Sequence, residues 1–415
     1  MNKKNWVRLS LGLLFLTALV LPWQTKLILR SAISDYWEIS IYTTTVLIVL
    51  SILTLIPSGL VSLKHFQSMP KLWRYSALLT IVVGIVSALF SPDPLLSFYV
   101  LALLIISLVF FIVVQALPDS WKRSLALVVL VSLSFQALIG LYQFVTQLSF
   151  ASSILGIAYH SAADLGTAVI ETADGRWLRA YGASGHPNAF GGFMALGHIG
   201  SLIFYIRSRR ISARIFFAFL YLLFLPAVLV SFSRAAYLAL IIGLIAVMYE
   251  NRQALRSSWK ATVTIASLTV LMTVAVVSLY FPLYIARADM SNRLEVMSIS
   301  DRGDLNRRGL DNFKDSPLIG VGLGASTLAD KQKMPSLAAW HFQPAHNYWL
   351  LAASEGGVFF VFGLAALWAF AYQKSRQRRL VSVFVVMFML TLFDHWLFSL
   401  PLGSAWTFLL FALIW

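Results

Sequence analysis

The sequence predicts an all-α polytopic membrane protein built as a single integral domain over residues 1–415. Three observations carry this: 59% of the 415 residues are hydrophobic, only 12% are charged, and the mean hydropathy is +0.79. Soluble domains run nearer about 45–50% apolar and about 25% charged, so a soluble enzyme and a disordered chain are both excluded. The absence of cysteine removes thiol catalysis, disulfide frameworks and cysteine-rich metal sites. A net charge of +15 would suggest nucleic acid in a soluble protein, but in a membrane protein the placement of the basic residues decides.

A hydrocarbon core about 30 Å thick takes about 20 apolar residues per helix. Windows of that length predict about twelve spans: 6–23, 39–63, 75–91, 95–117, 124–147, 189–206, 215–232, 235–250, 261–281, 346–372, 380–399 and 402–415. The first follows the basic stretch MNKKNWVR. It lacks a small-residue cleavage site and many spans follow it, so it reads as a retained helix. Lys3 and Lys4 precede it, and Lys64, Lys71 and Arg74 follow the second span. The later basic clusters are Lys122/Arg123, Arg207–Arg214, Arg252–Lys260 and Lys374–Arg379. Every second connection is therefore basic, with Asp119 and Glu250 nearly its only acids. Positive charge marks the cytoplasmic side, so both termini are expected there. Two outer segments are long, 148–188 and 282–345, while the other outer connections are short. The larger holds eight Lys/Arg against seven Asp/Glu, so an anion site there must come from particular residues. Long polar loops in a compact membrane fold are usually functional, which places the chemistry outside. The sequence has no GxxxxGK[ST], HExxH or GxSxG, so ATP-driven transport, zincin proteolysis and elbow-serine hydrolysis lose support.

Four stretches could carry chemistry. In RGDLNRRGLDNFKDSPLIGVGLG (302–324), Leu305, Gly309 and Phe313 recur at helical spacing, which predicts a short amphipathic helix ending before Pro317. Its Arg302, Arg307 and Arg308 could present forks to phosphate, or lie among lipid headgroups. In AHNYWLLAASEGG, His346 opens the tenth span beside Asn347, placed either to exchange a proton near neutral pH or to anchor a helix start. Glu355 lies inside that span and needs a partner, whether for function or for packing. Arg234, between the seventh and eighth spans, costs about 2.5–3.5 kcal/mol if buried, so it requires a carboxylate, a substrate phosphate or an escape to headgroups. In RAYGASGHPNAFGGF, Arg179, His186 and Asn188 stand just before the sixth span, where His186 taken singly reads as structural. His65, His160, His198, His341 and His395 receive no role.

An arginine fifteen residues before a Pro-Leu-x-Gly-Val-Gly-x-Gly run, then His-Asn opening a helix and Glu-Gly-Gly after it, resembles the bacterial O-antigen ligase and polymerase superfamily of C-type membrane glycosyltransferases. The likeness is strongest over 179–360. The family's outer-loop arginine falls on Arg302, its inter-helix arginine on Arg234 and its catalytic histidine on His346. The tryptophan usual a few residues after the loop arginine is absent, with Asn306 near its place. The resemblance implies an O-antigen ligase: a donor glycan on undecaprenyl diphosphate, a lipid A–core acceptor, inversion without a metal, no cofactor, and membrane lipids but no nucleic acid as partners. Arg234 and Arg302 would stabilise the lipid diphosphate leaving group, and His346 would take or orient the acceptor proton. Arg179, His186, Asn188, Arg307, Arg308 and Asn347 would contact substrates. An O-antigen polymerase or a protein O-oligosaccharyltransferase would use the same donor. The modest length, with nothing appended after the last span, favours the ligase. A base at Asp35 or Glu38 is a rival mechanism, and a lipid or sugar transporter is the alternative outside the class. His346→Ala and Arg302→Ala are expected to insert normally and to abolish glycan transfer in a reconstituted assay. Near-wild-type transfer in either variant would remove that residue from the mechanism.

Overall fold

The computed structural model describes residues 2–58 and 63–414, and the chain is mostly helical. In order, the elements are α1 (Lys3–Val20), β1 (Lys26–Arg30), β2 (Ile39–Tyr42), α2 (Thr43–Ser58), α3 (Leu63–Ser68), α4 (Lys71–Leu89), α5 (Pro94–Gln115) and α6 (Asp119–Thr146). They continue with β3 (Val169–Thr172), β4 (Gly175–Leu178), α7 (Pro187–Arg207), α8 (Ile211–Leu229), α9 (Arg234–Glu250), α10 (Arg252–Ser257) and α11 (Trp259–Leu279). The last are α12 (Phe281–Ala288), α13 (Arg293–Asp315), α14 (Ser326–Lys333), α15 (Tyr348–Arg378), α16 (Val381–Phe393), α17 (Trp396–Ser399) and α18 (Gly403–Ile414). Among the described residues, seven helices are long and apolar enough to cross a membrane: α4 to α8, α11 and α15. Helices α2, α16 and α18 are shorter and apolar. The protein is an all-α polytopic membrane protein, and each of the twelve predicted segments is helical over most of its length. Residues 59–62 of the second segment and Trp415 of the twelfth lie outside the described residues.

The departures from expectation have local causes. The second segment begins as β2, which pairs antiparallel with β1 before the chain turns helical at Thr43. A second hairpin, β3–β4, forms in the 148–188 loop. The eleventh segment breaks after Phe393, where Asp394 takes an extended backbone (φ −154°, ψ 166°) and its carboxylate turns toward α7. The amphipathic helix predicted from Arg302 begins nine residues earlier, at Arg293, capped by the Asn292 side chain on the Leu294 N–H. It ends before Pro317 as expected, with Leu305 and Gly309 buried and Phe313 half-buried.

Helix α7 is the most buried of the seven and packs against α6, α8, α9 and α16. Its small residues let neighbours approach: a Cβ on Gly192 would lie 2.7 Å from the Trp396 ring. Helix α11 buries only Ile265 and lies on the flank against α8. The basic connections meet at one end, where Arg378 pairs with Asp119 at 2.6 Å and Glu250 accepts from the Val381 N–H at 2.6 Å. The long segments 147–186 and 280–347 lie at the opposite end.

There, residues 316–326 dock into a kink of α15. The Gly357 backbone leaves helical geometry (φ +74°), and Val358 N–H reaches the Pro317 carbonyl at 2.9 Å. Gly320 (φ +69°) faces Glu355 so closely that a Cβ on either Gly320 or Gly357 would strike the opposing backbone. The Glu355 carboxylate, 4% exposed, accepts from the Gly324 N–H at 2.7 Å and the Ser326 hydroxyl at 2.8 Å. Its carbonyl accepts from Gly322 N–H and the Ser87 hydroxyl. The acid expected to need a partner thus has a backbone N–H and a serine hydroxyl rather than an arginine. Glu355→Leu strands both donors, at about 1–3 kcal/mol each. Limited proteolysis should then cut within 316–326 and thermal unfolding should fall, and unchanged protection would show that the dock does not depend on this carboxylate.

Candidate functional site

His346 stands one residue before the Asn347 cap of α15. The Asn347 side chain accepts from Leu350 N–H and donates to the Leu392 carbonyl, each at 2.9 Å, so it ties α15 to the end of α16. That tie brings His346 to the break after α16. The His346 Nδ1 lies 3.9 Å from Asp394 Oδ1, and the His346 and His395 rings meet edge to face at 4.9 Å. Helix α13 reaches the same place from the other side, since a Cβ on Gly309 would lie 2.9 Å from the Ala345 Cβ.

Asp394 is 5% exposed and fully used. Its Oδ2 accepts from Asn188 Nδ2 at 2.9 Å, and its Oδ1 accepts from the His395 N–H at 2.8 Å. The Asn188 Oδ1 in turn accepts from Arg179 Nη2 at 2.9 Å. His186 caps α7 by accepting the Asn188 N–H on Nδ1 at 3.1 Å, which requires a neutral ring. Of the three residues expected to contact substrate, Arg179 and Asn188 form a buried polar support behind Asp394, while His186 is exposed at the start of α7. Burial lowers the His346 pKa, with Asp394 opposing that shift and Arg302 adding to it. For Asp394 burial acts upward, but His395, His346 and His186 outweigh it and the carboxyl stays ionised.

The arginines form the other half. Arg234 begins α9 after a tight turn at 230–233 in which Phe232, fully buried, is held at φ +49°. An aromatic residue rarely adopts that region, and it persists because neighbours clamp the turn. Arg179 Nε donates to the Ser231 carbonyl at 2.8 Å and Arg287 Nε to the Phe232 carbonyl at 3.2 Å. Arg234 Nη2 lies 3.3 Å from Glu295 Oε2, so the carboxylate that the sequence required is supplied by α13. Burial and then Arg287 lower the Arg234 pKa, which Glu295 opposes. Burial, followed by Arg287, lowers Arg179 to about 9, which leaves it charged at neutral pH.

Arg302 is half-buried and, among the described residues, has no hydrogen bond or ion pair, while its charge acts on Arg179, Arg234, His346 and His395. Arg307 is exposed and likewise unpaired among the described residues, whereas Arg308 donates to the His341 carbonyl at 3.0 Å. Glu38 is taken by Lys26 at 2.6 Å and by Ser40. His346, Asp394 and His395 each offer one donor atom within 4.8 Å of the others, a set that could hold a transition-metal ion.

Asp394, His395, Arg287 and Glu295 were missed in the sequence. An acid inside an apolar span was signal enough for Asp394, as it was for Glu355. Glu295 stands seven residues before Arg302, one helical face, but only once α13 is known to extend that far.

The fold and site define a multi-pass helical membrane protein with a cationic, histidine-containing centre at one end of its bundle. Residues 219–365, from α8 into α15 and including Arg234, Arg302 and His346, match the family model described as O-antigen ligase. Through that segment the chain resembles the O-antigen ligase superfamily, whose ligase- and polymerase-type members are glycosyltransferase-like enzymes. No curated protein matches the chain significantly.

Because Asp394 raises the His346 pKa against burial, Asp394→Asn should make the imidazole titrate at still lower pH. Histidine-labelled NMR of the solubilised protein reads this directly, and an unchanged or upward titration would show that the two groups are uncoupled.

Proposed function

We propose that the protein is an O-antigen ligase that moves a glycan from undecaprenyl diphosphate to the outer core sugar of lipid A–core, on the periplasmic face of the inner membrane. The observation that carries this is Arg302, a guanidinium with no partner among the described residues, gathered with Arg234 and a half-buried His346 beside the buried Asp394. A lipid diphosphate leaving group needs cations that are already in place, and an acceptor hydroxyl needs a neutral base.

The acceptor oxygen attacks the anomeric carbon on the face opposite the diphosphate while its proton passes to His346. The bond from the anomeric carbon to the phosphate oxygen breaks, its electron pair leaves with undecaprenyl diphosphate, and the configuration inverts. Arg234 and Arg302 take up the charge that develops on that oxygen. Asp394, 3.9 Å from His346 Nδ1, stabilises the imidazolium through its charge. The lowered His346 pKa keeps the ring neutral at pH 7, so transfer should fall only as pH drops below the ordinary histidine range.

The donor cluster His346–Asp394–His395 favours a second reading, in which a metal polarises the acceptor hydroxyl. A polymerase acting on the same donor is the other alternative. One assay separates them: purified protein with undecaprenyl-diphosphate glycan and core-only lipopolysaccharide, with and without chelator, read by gel shift. A ladder on lipopolysaccharide that survives chelation is expected. Loss on chelation with recovery on adding Zn²⁺ would establish the metal reading. Longer lipid-linked glycan with unmodified lipopolysaccharide would make the protein a polymerase.

A further inference from the structure

Two arginines cannot act on one diphosphate unless something holds their separate elements together. Arg234 starts α9 and Arg302 lies on α13, with α10, α11 and α12 between them in the chain. Glu295 is the ionic tie among the described residues that joins α13 to both α9 and α12. Its Oε1 pairs with Arg287 of α12, and its Oε2 faces Arg234 at 3.3 Å. Glu295 is 3% exposed and Arg287 9%, whereas the Arg234 side chain is 37% exposed.

That asymmetry assigns the roles. Arg287 is immobilised on two sides, by Glu295 and by the Phe232 carbonyl at 3.2 Å, so it faces protein and not ligand. Arg234 touches Glu295 by one nitrogen without hydrogen-bond geometry, since Glu295 Oε2 has no hydrogen-bond partner, and its open side remains available. Residues 295, 302 and 309 lie seven apart, on one stripe of α13. The buried ends of that stripe are Glu295 and Gly309, the latter against Ala345 beside His346. Locking Glu295 therefore sets the rotation of α13 about its axis and turns Arg302 toward Arg234.

We propose that Glu295, with Arg287 as its fixed counter-ion, is the positioning residue that holds Arg234 and Arg302 as one clamp for a polyprenyl diphosphate. The proposal rests on the lipid-diphosphate reading above. Glu295 sits behind Arg234, in the protein, and a diphosphate takes the open side. Arg179, Arg234, Arg287 and Arg302 together with Glu295 sum to +3, a positive centre that one diphosphate diester, at about −2, does not over-neutralise.

The test uses farnesyl diphosphate as the probe, titrated calorimetrically into the full chain in lipid nanodiscs, with thermal unfolding recorded for each variant. Wild type should bind. Glu295→Gln should bind at least about tenfold more weakly while still unfolding cooperatively, and Arg293→Gln should match wild type. Arg293 is a suitable control because its ion pair to Glu171 is exposed and does not involve Arg234. A merely structural role would lower the unfolding temperature and leave the affinity of the folded protein unchanged. Equal or tighter binding by folded Glu295→Gln would overturn the proposal, the tighter result marking Glu295 as a competitor of the ligand. If that variant does not fold, Glu295→Asp keeps a carboxylate for Arg287 but is one methylene too short for Arg234. It should lose about threefold, and unchanged affinity would again overturn the proposal. Failure of wild type to bind would sink the lipid-diphosphate reading itself, and this proposal with it.

Discussion

The Glu355 carboxylate lies inside α15 and takes its hydrogen bonds from Gly324 and Ser326, across the dock of the 316–326 segment. The same helix carries His346 just before its first turn, and the docked segment directly follows α13, which carries Arg302. A buried carboxylate without donors would be prohibitively costly in an apolar bundle, so the dock and the carboxylate require each other. Through this contact the histidine and the loop arginine belong to one rigid unit. An arginine on an untethered loop of sixty residues would have no defined distance to anything.

The remaining charges follow the same rule at two further places. Asp394 is surrounded by Asn188, the His395 N–H and two imidazoles, and Glu295 by two guanidiniums. Each buried acid organises groups from elements far apart in the chain: α7 with α16 in the first case, α9 and α12 with α13 in the second. The strained Phe232 turn shows how firmly the arginine side is held, because a left-handed phenylalanine survives only where Arg179 and Arg287 fix the carbonyls on either side of it. Preorganisation of this kind is what stabilisation of a developing anion requires, since donors that must first reorient give back much of what they contribute.

Much of this was legible in the residues. The apolar windows located the helices because lipid allows few other ways to satisfy a backbone. The helix stop before Pro317 followed from local sterics. Arg234, Arg302 and His346 were recognisable by residue type, spacing and resemblance. Illegible were the roles of residues whose partners lie far off in sequence. Asn188 and Arg179 looked like substrate contacts, and the fold buries both in a hydrogen-bonded chain that ends on Asp394. Asn347 proved to be a helix cap that ties two spans together. His395 was passed over, because nothing beside it in the chain announces His346.

Composition and periodicity by themselves determined that this is a helical membrane protein and which segments are apolar helices, because those depend on each residue's own transfer free energy and on its near neighbours. They also determined that a few ionisable residues sit where burial demands a counter-charge. Which group answers each charge was decided only by the tertiary structure. Glu295 for Arg234, Asp394 beside His346 and the Gly324 N–H for Glu355 are pairings between residues 31 to 61 positions apart. Electrostatic partners are chosen by distance in space, and only the packing of the helices sets that distance.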